Sequence, residues 1–162
     1  ISILQPCPQT VYAQNLVGKF AQVDRDIYRS ARPSAKNLAD LKERYHFGLI
    51  LNIENNKEAI QQEQETARQL GVEFVSSPMS WLVRPSDQQI DQILNRLRDR
   101  SHGPILLHCK MGEDRTGLIV GLYRVLVQKW SASDAYEEML AMGFHPYYKA
   151  LDKYFRDRTG YR

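Results

Sequence analysis

Apolar residues come in short runs separated by longer amphipathic stretches, and the two kinds of segment alternate down the chain. Leu49-Ile50-Leu51 follows Gly48, Val72 to Val75 follows Gly71, and Ile105-Leu106-Leu107 follows Gly103-Pro104. Each run is too short for a helix and reads as a buried strand, and Val23 to Tyr28 reads as another. Between them the spacing turns helical. Ser34 caps a helix carrying Leu38 and Leu41, and Lys57 to Leu70 is a polar helix rich in Gln and Glu that Gly71 ends. After the irregular stretch Met79 to Pro85, Ser86-Asp87-Gln88-Gln89 opens a helix whose stripe is Ile90, Ile93, Leu94 and Leu97. Gly117 to Gln128 is a central apolar helix, Ser131 to Asp134 caps another, and Pro146 to Arg156 is a short last one. Strands alternating with helices predict an α/β domain with a mainly parallel central sheet flanked by helices. Residues 1–19, with two prolines and little periodicity, read as an extended N-terminal arm, and residues 20–162 as a single domain.

Composition narrows this picture. A chain of 162 residues, 43% of them hydrophobic, suits one core and is short for two. The longest apolar run falls far below the roughly 20 residues that span a bilayer, so no membrane span is expected. A net charge of +3 with both signs interspersed does not call for nucleic acid. Two cysteines, Cys7 and Cys109, make no disulfide framework. The first residue is Ile1 rather than Met, which raises the expectation of a removed leader and an exported or periplasmic location.

The chemistry concentrates in His108-Cys109-Lys110-Met111-Gly112-Glu113-Asp114-Arg115-Thr116-Gly117. This stretch joins the strand at 105–108 to the central helix, so its backbone N–H groups and the helix dipole converge on one anion site. A cysteine there is activated as a thiolate, and an arginine forks two phosphate oxygens. Cys109 as a mere core residue leaves Gly112, Arg115 and Gly117 unexplained. A Walker A loop lacks its closing Gly-Lys-Ser/Thr, since Leu118 follows Gly117. A rhodanese-type sulfurtransferase also cradles an anion around a strand-end cysteine, but Arg115 followed by Thr116 favours phosphate.

Cys-x5-Arg-Thr-Gly preceded by His resembles the signature of the cysteine-dependent phosphatases, the protein-tyrosine and dual-specificity superfamily. Phe20 to Pro33 looks like the opening segment of small bacterial members, and Gly48 to Asn52 like the strand that follows it. The resemblance implies a dual-specificity phosphatase-like fold and phosphomonoester hydrolysis through a phosphocysteine intermediate, with no cofactor and no metal. It implies Cys109 as nucleophile, Arg115 as the phosphate clamp, Thr116 as the hydroxyl that steadies the departing thiolate, and His108 as a structural support of the loop.

The general acid is open. The stretch Ser77 to Pro85, where most members carry an aspartate, has no carboxylate. Asp114, beside Arg115, occupies the position at which myotubularin-like and Sac-type phosphoinositide phosphatases carry one, and is preferred to Asp87, with Glu113 third. Lys110 resembles members acting on highly phosphorylated inositols. Arg29, Arg32 and Arg84, joined by Lys149 and Lys153, are expected to rim the pocket, and Met111, Gly112, Glu113 and Gly117 to contact substrate. The loop region also resembles the tyrosine-phosphatase-like phytases, although Lys110 and Trp81 depart from their pattern. The expected substrate is thus an inositol polyphosphate such as the hexakisphosphate. A protein-tyrosine or dual-specificity phosphatase is the alternative, with Trp81 and Tyr147-Tyr148 as an aromatic wall, and a non-catalytic phosphate-binding module is the third reading.

Overall fold

The computed structural model describes residues 8–162; Cys7 and the first part of the arm lie outside them. Among the described residues five four-residue strands form one sheet: β1 (Ala21–Asp24), β2 (Ile27–Ser30), β3 (Leu49–Asn52), β4 (Glu73–Ser76) and β5 (Ile105–His108), in the order β1-β2-β5-β3-β4. Strands β2, β5, β3 and β4 are parallel, and β1 runs antiparallel on the edge. The expected single strand from Val23 to Tyr28 is therefore two. Asp24 accepts the backbone N–H of Arg25 at 2.7 Å and the chain reverses there, which is the turn chemistry of aspartate.

Among the described residues seven helices surround the sheet: α1 (Pro8–Leu16), α2 (Ala35–Tyr45), α3 (Lys57–Leu70), α4 (Asp87–Arg98), α5 (Asp114–Leu126), α6 (Ala132–Ala141) and α7 (Lys149–Thr159). The side chains of Ser34, Ser86 and Ser131 accept an N–H from the first turn of the helix each precedes, and Gly71 ends α3 in the left-handed region at φ 67°. The arm is not extended throughout. Residues 8–16 form α1, and Ala13, Val17 and Phe20 are buried in a common cluster with Leu38 and Leu41 of α2. Among residues 12–16 only Ala13 is buried, and no apolar period marks this helix in the sequence.

Strand β5 lies at the centre, paired with β2 on one side and β3 on the other, and its two faces meet different cores. Ile105 and Leu107 join the cluster built on α4, α5, α6 and α7, whereas Leu106 joins the cluster built on α1, α2 and α3. Successive strand residues point to opposite faces. Cys109 consequently falls with α5, and His108 with α3. Burial on both sides explains the unbroken apolar run of 105–107. Helix α5 is apolar nearly all round because it is the buried centre of its layer.

Candidate active site

The loop after β5 is held open as an anion cradle by contacts on its outer side. Arg32 donates its backbone N–H to Lys110 O at 3.0 Å, and Gly112 N–H points back at Cys109 Sγ at 3.2 Å. Gly112 has φ 71°, and a Cβ on it would stand 2.6 Å from the backbone at Ser30 and Ala31, so both conformation and space demand glycine. Helix α5 begins at Asp114 with no side-chain cap. Its first N–H groups are therefore available to a bound anion.

A cavity of about 220 Å³ opens over the sulfur, lined by Trp81, Cys109, Lys110, Met111, Asp114, Arg115 and Tyr148. Arg115 is buried, and its Nη1 donates to Asn55 Oδ1 at 2.9 Å and to Met79 O at 3.1 Å while the guanidinium lies 4.9 Å from the Trp81 ring centre. One edge of the fork is thus fixed by protein, which orients the rest toward the cavity. Thr116 Oγ1 is buried without a hydrogen-bond partner among the described residues. Asp114 accepts the backbone N–H of His145 at 2.7 Å, and its two oxygens each lie 3.1 Å from His145 Nδ1.

His108 is fully buried and faces two acceptors: Nδ1 lies 3.1 Å from Cys109 O and Nε2 2.9 Å from Glu63 Oε2. Two acceptors require two N–H donors, so the ring is an imidazolium. Burial works against that charge, but the Glu63 carboxylate and the hydrogen bonds to Glu63 and Cys109 prevail, and the His108 pKa is raised. Asn52 Nδ2 donates to the same Glu63 oxygen at 2.6 Å. The imidazolium braces the carbonyl of the residue that bears the sulfur.

The cations expected around the pocket divide. Lys110 lines it. Arg29 does not: it is buried, with Nη2 donating to Gly112 O at 2.8 Å, and burial depresses its pKa to about 10 even though Glu138 and Cys109 oppose the shift. Arg29 pairs in register with Leu107 and shares the inward face of Ile27, so its length serves to buttress the loop from beneath. Arg32 pairs with Glu54 at 2.9 Å and borders a separate cleft of about 480 Å³ between α2 and α3. Arg84 pairs with Asp157 at 2.8 Å and lies over the Tyr154 ring, and Lys153 joins the same aspartate at 3.0 Å. Lys149 is exposed at the start of α7, one residue beyond the cavity wall.

Three other expected groups lie off the cavity. Glu113 reaches Lys19 at 3.4 Å, Gly117 packs under Phe144, and Asp87 turns to Tyr154 and Arg158 on α7. The hydrogen bond from Tyr154 lowers the Asp87 pKa, keeping it a carboxylate. Glu113, Asp114 and His145 offer donor atoms within 4.8 Å of one another, but they are already engaged in pairs with each other and with Lys19.

Sequence reading missed Asn55, Glu63 and His145. Only Glu63 carried a signal, since the helical period that turns Ile60 and Ala67 inward turns Glu63 inward too.

A strand-end cysteine, a buried arginine fork and an uncapped helix start around one anion-sized cavity define a cysteine-dependent phosphatase site on a dual-specificity phosphatase-like α/β fold. Residues 16–155 match the tyrosine phosphatase family, and the chain belongs to that family. It is 34% identical over 119 residues to the dual-specificity protein phosphatase TpbA of Pseudomonas aeruginosa, covering 73% of this chain and 51% of that one. It is 30% identical over 140 residues to the inositol diphosphatase SIW14 of Saccharomyces cerevisiae, covering 84% of this chain and 49% of that one. The chain thus spans about half the length of these curated relatives. Among solved structures, the catalytic core of the PP-IP phosphatase SIW14 in complex with citrate superposes with a TM-score of 0.75 at 26% identity, over 87% of this chain and 88% of that one. A TpbA variant in complex with pTyr superposes with a TM-score of 0.74 at 27% identity, over 88% and 86%.

Proposed function

We propose that the chain hydrolyses phosphate groups of inositol polyphosphates through a phosphocysteine intermediate. The observation that carries this reading is the pairing of Lys110 and Arg115 on one small cavity over Cys109. The family supports the chemistry, and the inositol diphosphatases among its relatives support the substrate class.

In the first step Cys109 Sγ, as thiolate, attacks phosphorus while Arg115 and the loop N–H groups hold the equatorial oxygens. The bond to the leaving oxygen breaks, and Asp114, on the cavity wall, supplies its proton. In the second step water attacks the phosphocysteine, Asp114 takes the proton of that water, and the Thr116 hydroxyl stabilises the returning thiolate. Lys110 stands at the exposed rim, where a neighbouring phosphate of the same ring meets it. A monophosphorylated side chain needs no such second cation.

Phosphotyrosine is the second reading, favoured by the aromatic walls Trp81 and Tyr148 and by the likeness to TpbA. Initial rates on inositol hexakisphosphate, a diphosphoinositol polyphosphate, a phosphotyrosine peptide and a phosphoserine peptide separate the two. The inositol compounds should be cleaved fastest, with a steep loss on adding salt. Faster cleavage of the phosphotyrosine peptide at equal concentration would overturn the inositol reading.

A further inference from the structure

His145 lies 31 residues beyond Asp114, yet both Asp114 oxygens stand 3.1 Å from its Nδ1 and one of them also takes its backbone N–H. The backbone bond alone would orient the carboxylate. The ring adds what a backbone N–H cannot, a proton that can be given up and taken back. Histidine is the side chain whose charge changes in the neutral range.

We infer that His145 is the proton reservoir of Asp114, feeding a proton into it during the first chemical step and drawing one out of it during the second. This rests on the reading of Asp114 as the proton donor. As sulfur displaces the leaving group, the proton on Asp114 passes to the leaving oxygen, and the proton on His145 Nδ1 passes to Asp114. When water attacks the phosphocysteine, Asp114 takes a proton from that water and His145 takes one from Asp114. After one turnover Asp114 and His145 Nδ1 again carry one proton each, as at the start, and ester plus water have become alcohol plus phosphate. His145 does not line the cavity, so it acts through Asp114 and never touches substrate.

The surroundings suit a shared proton. From the start of α5, Asp114 and Glu113 face the ring, the latter with Oε2 4.0 Å from Nδ1. From its own loop, Tyr147 and Tyr148 pack against it with ring centres 5.0 and 6.0 Å away, and Tyr148 continues into the wall above the sulfur. Lys19, ahead of β1, pairs with Glu113 at 3.4 Å and leaves Asp114 to the imidazole. The ring is about two-fifths exposed, so it can exchange protons with solvent.

The test compares His145→Gln with Asp114→Asn, each on an alkyl phosphate and on para-nitrophenyl phosphate, across pH 5 to 9. Glutamine keeps the backbone N–H and a side-chain N–H donor, but holds no titratable proton. His145→Gln should slow the alkyl phosphate by about tenfold or more, leave the aryl phosphate nearly unchanged, and flatten the basic limb of the kcat profile. In the double variant the loss should be no greater than in Asp114→Asn alone. A wild-type alkyl rate and pH profile in His145→Gln, or equal losses on both esters, would overturn the inference while leaving Asp114 as donor. Absence of leaving-group dependence in Asp114→Asn would overturn the donor assignment and the inference with it.

Discussion

Replacing Glu63 by Gln tests whether the imidazolium of His108 is held by its counter-charge. The substitution keeps side-chain size and removes the carboxylate that faces Nε2 at 2.9 Å. The glutamine amide can then donate to Nε2, the ring gives up one proton, and a charge-assisted hydrogen bond becomes a neutral one. That exchange costs about 1–2 kcal/mol, against roughly 3–5 kcal/mol had the partner been deleted outright. At this chain length 1 kcal/mol moves the Tm by about 2–4 °C, so a fall of about 2–8 °C is expected. The pH dependence carries the diagnosis. Because the folded pKa of His108 is raised above the ordinary 6.5, the pair's contribution is complete below that value and is lost as pH rises through the folded one. Thermal unfolding followed by circular dichroism should therefore show the widest gap between wild type and Glu63→Gln near pH 6, closing toward pH 9. A gap that is constant over that range, or a variant as stable as wild type at pH 6, would refute the charged pair.

Cys109→Ser should abolish turnover while retaining phosphate binding by calorimetry, and a chelator should leave the wild type active; turnover by the serine variant at wild-type rates would rule out the covalent route. Gly112→Ala places a Cβ 2.6 Å from the Ser30 and Ala31 backbone at φ 71°, adding about 1–2 kcal/mol of left-handed strain to the clash, and should lose nearly all activity with the protein still folded by circular dichroism. Lys110→Ala should raise KM for inositol hexakisphosphate and weaken its salt dependence. Arg84→Ala should change neither, because Arg84 is spent on Asp157; a matching KM increase in Arg84→Ala would show that this pair opens to substrate.

The alternation of strands and helices and the cysteine loop were legible because both are local: period, caps and a ten-residue spacing. The roles of the arginines were not. Sequence places Arg29 near the loop but does not say on which side of it, although its two-residue spacing from Ile27, an inward strand position, pointed into the core. Arg84 was drawn away by Asp157, 73 residues later, and His145 reached Asp114 across 31. Such pairings depend on how α7 and the loop before it fold back, and no local pattern records that. Helix α1 escaped notice for a different reason, since Ala13 is the one buried position among residues 12–16 and no apolar period forms there.

Strand β5 has consequences for which parts of the site move. Its amides are locked between β2 and β3, so exchange with deuterium at 105–108 should be governed by global unfolding. Trp81 and Tyr148 belong instead to connections between elements, at residues 77–86 and 142–148, which open at far lower cost. The nucleophile hangs from the central strand of the sheet and the walls from connections between elements. Redesign of substrate preference can therefore be confined to Trp81 and Tyr148 in those connections, with Met79 and His145 kept because they hold Arg115 and Asp114.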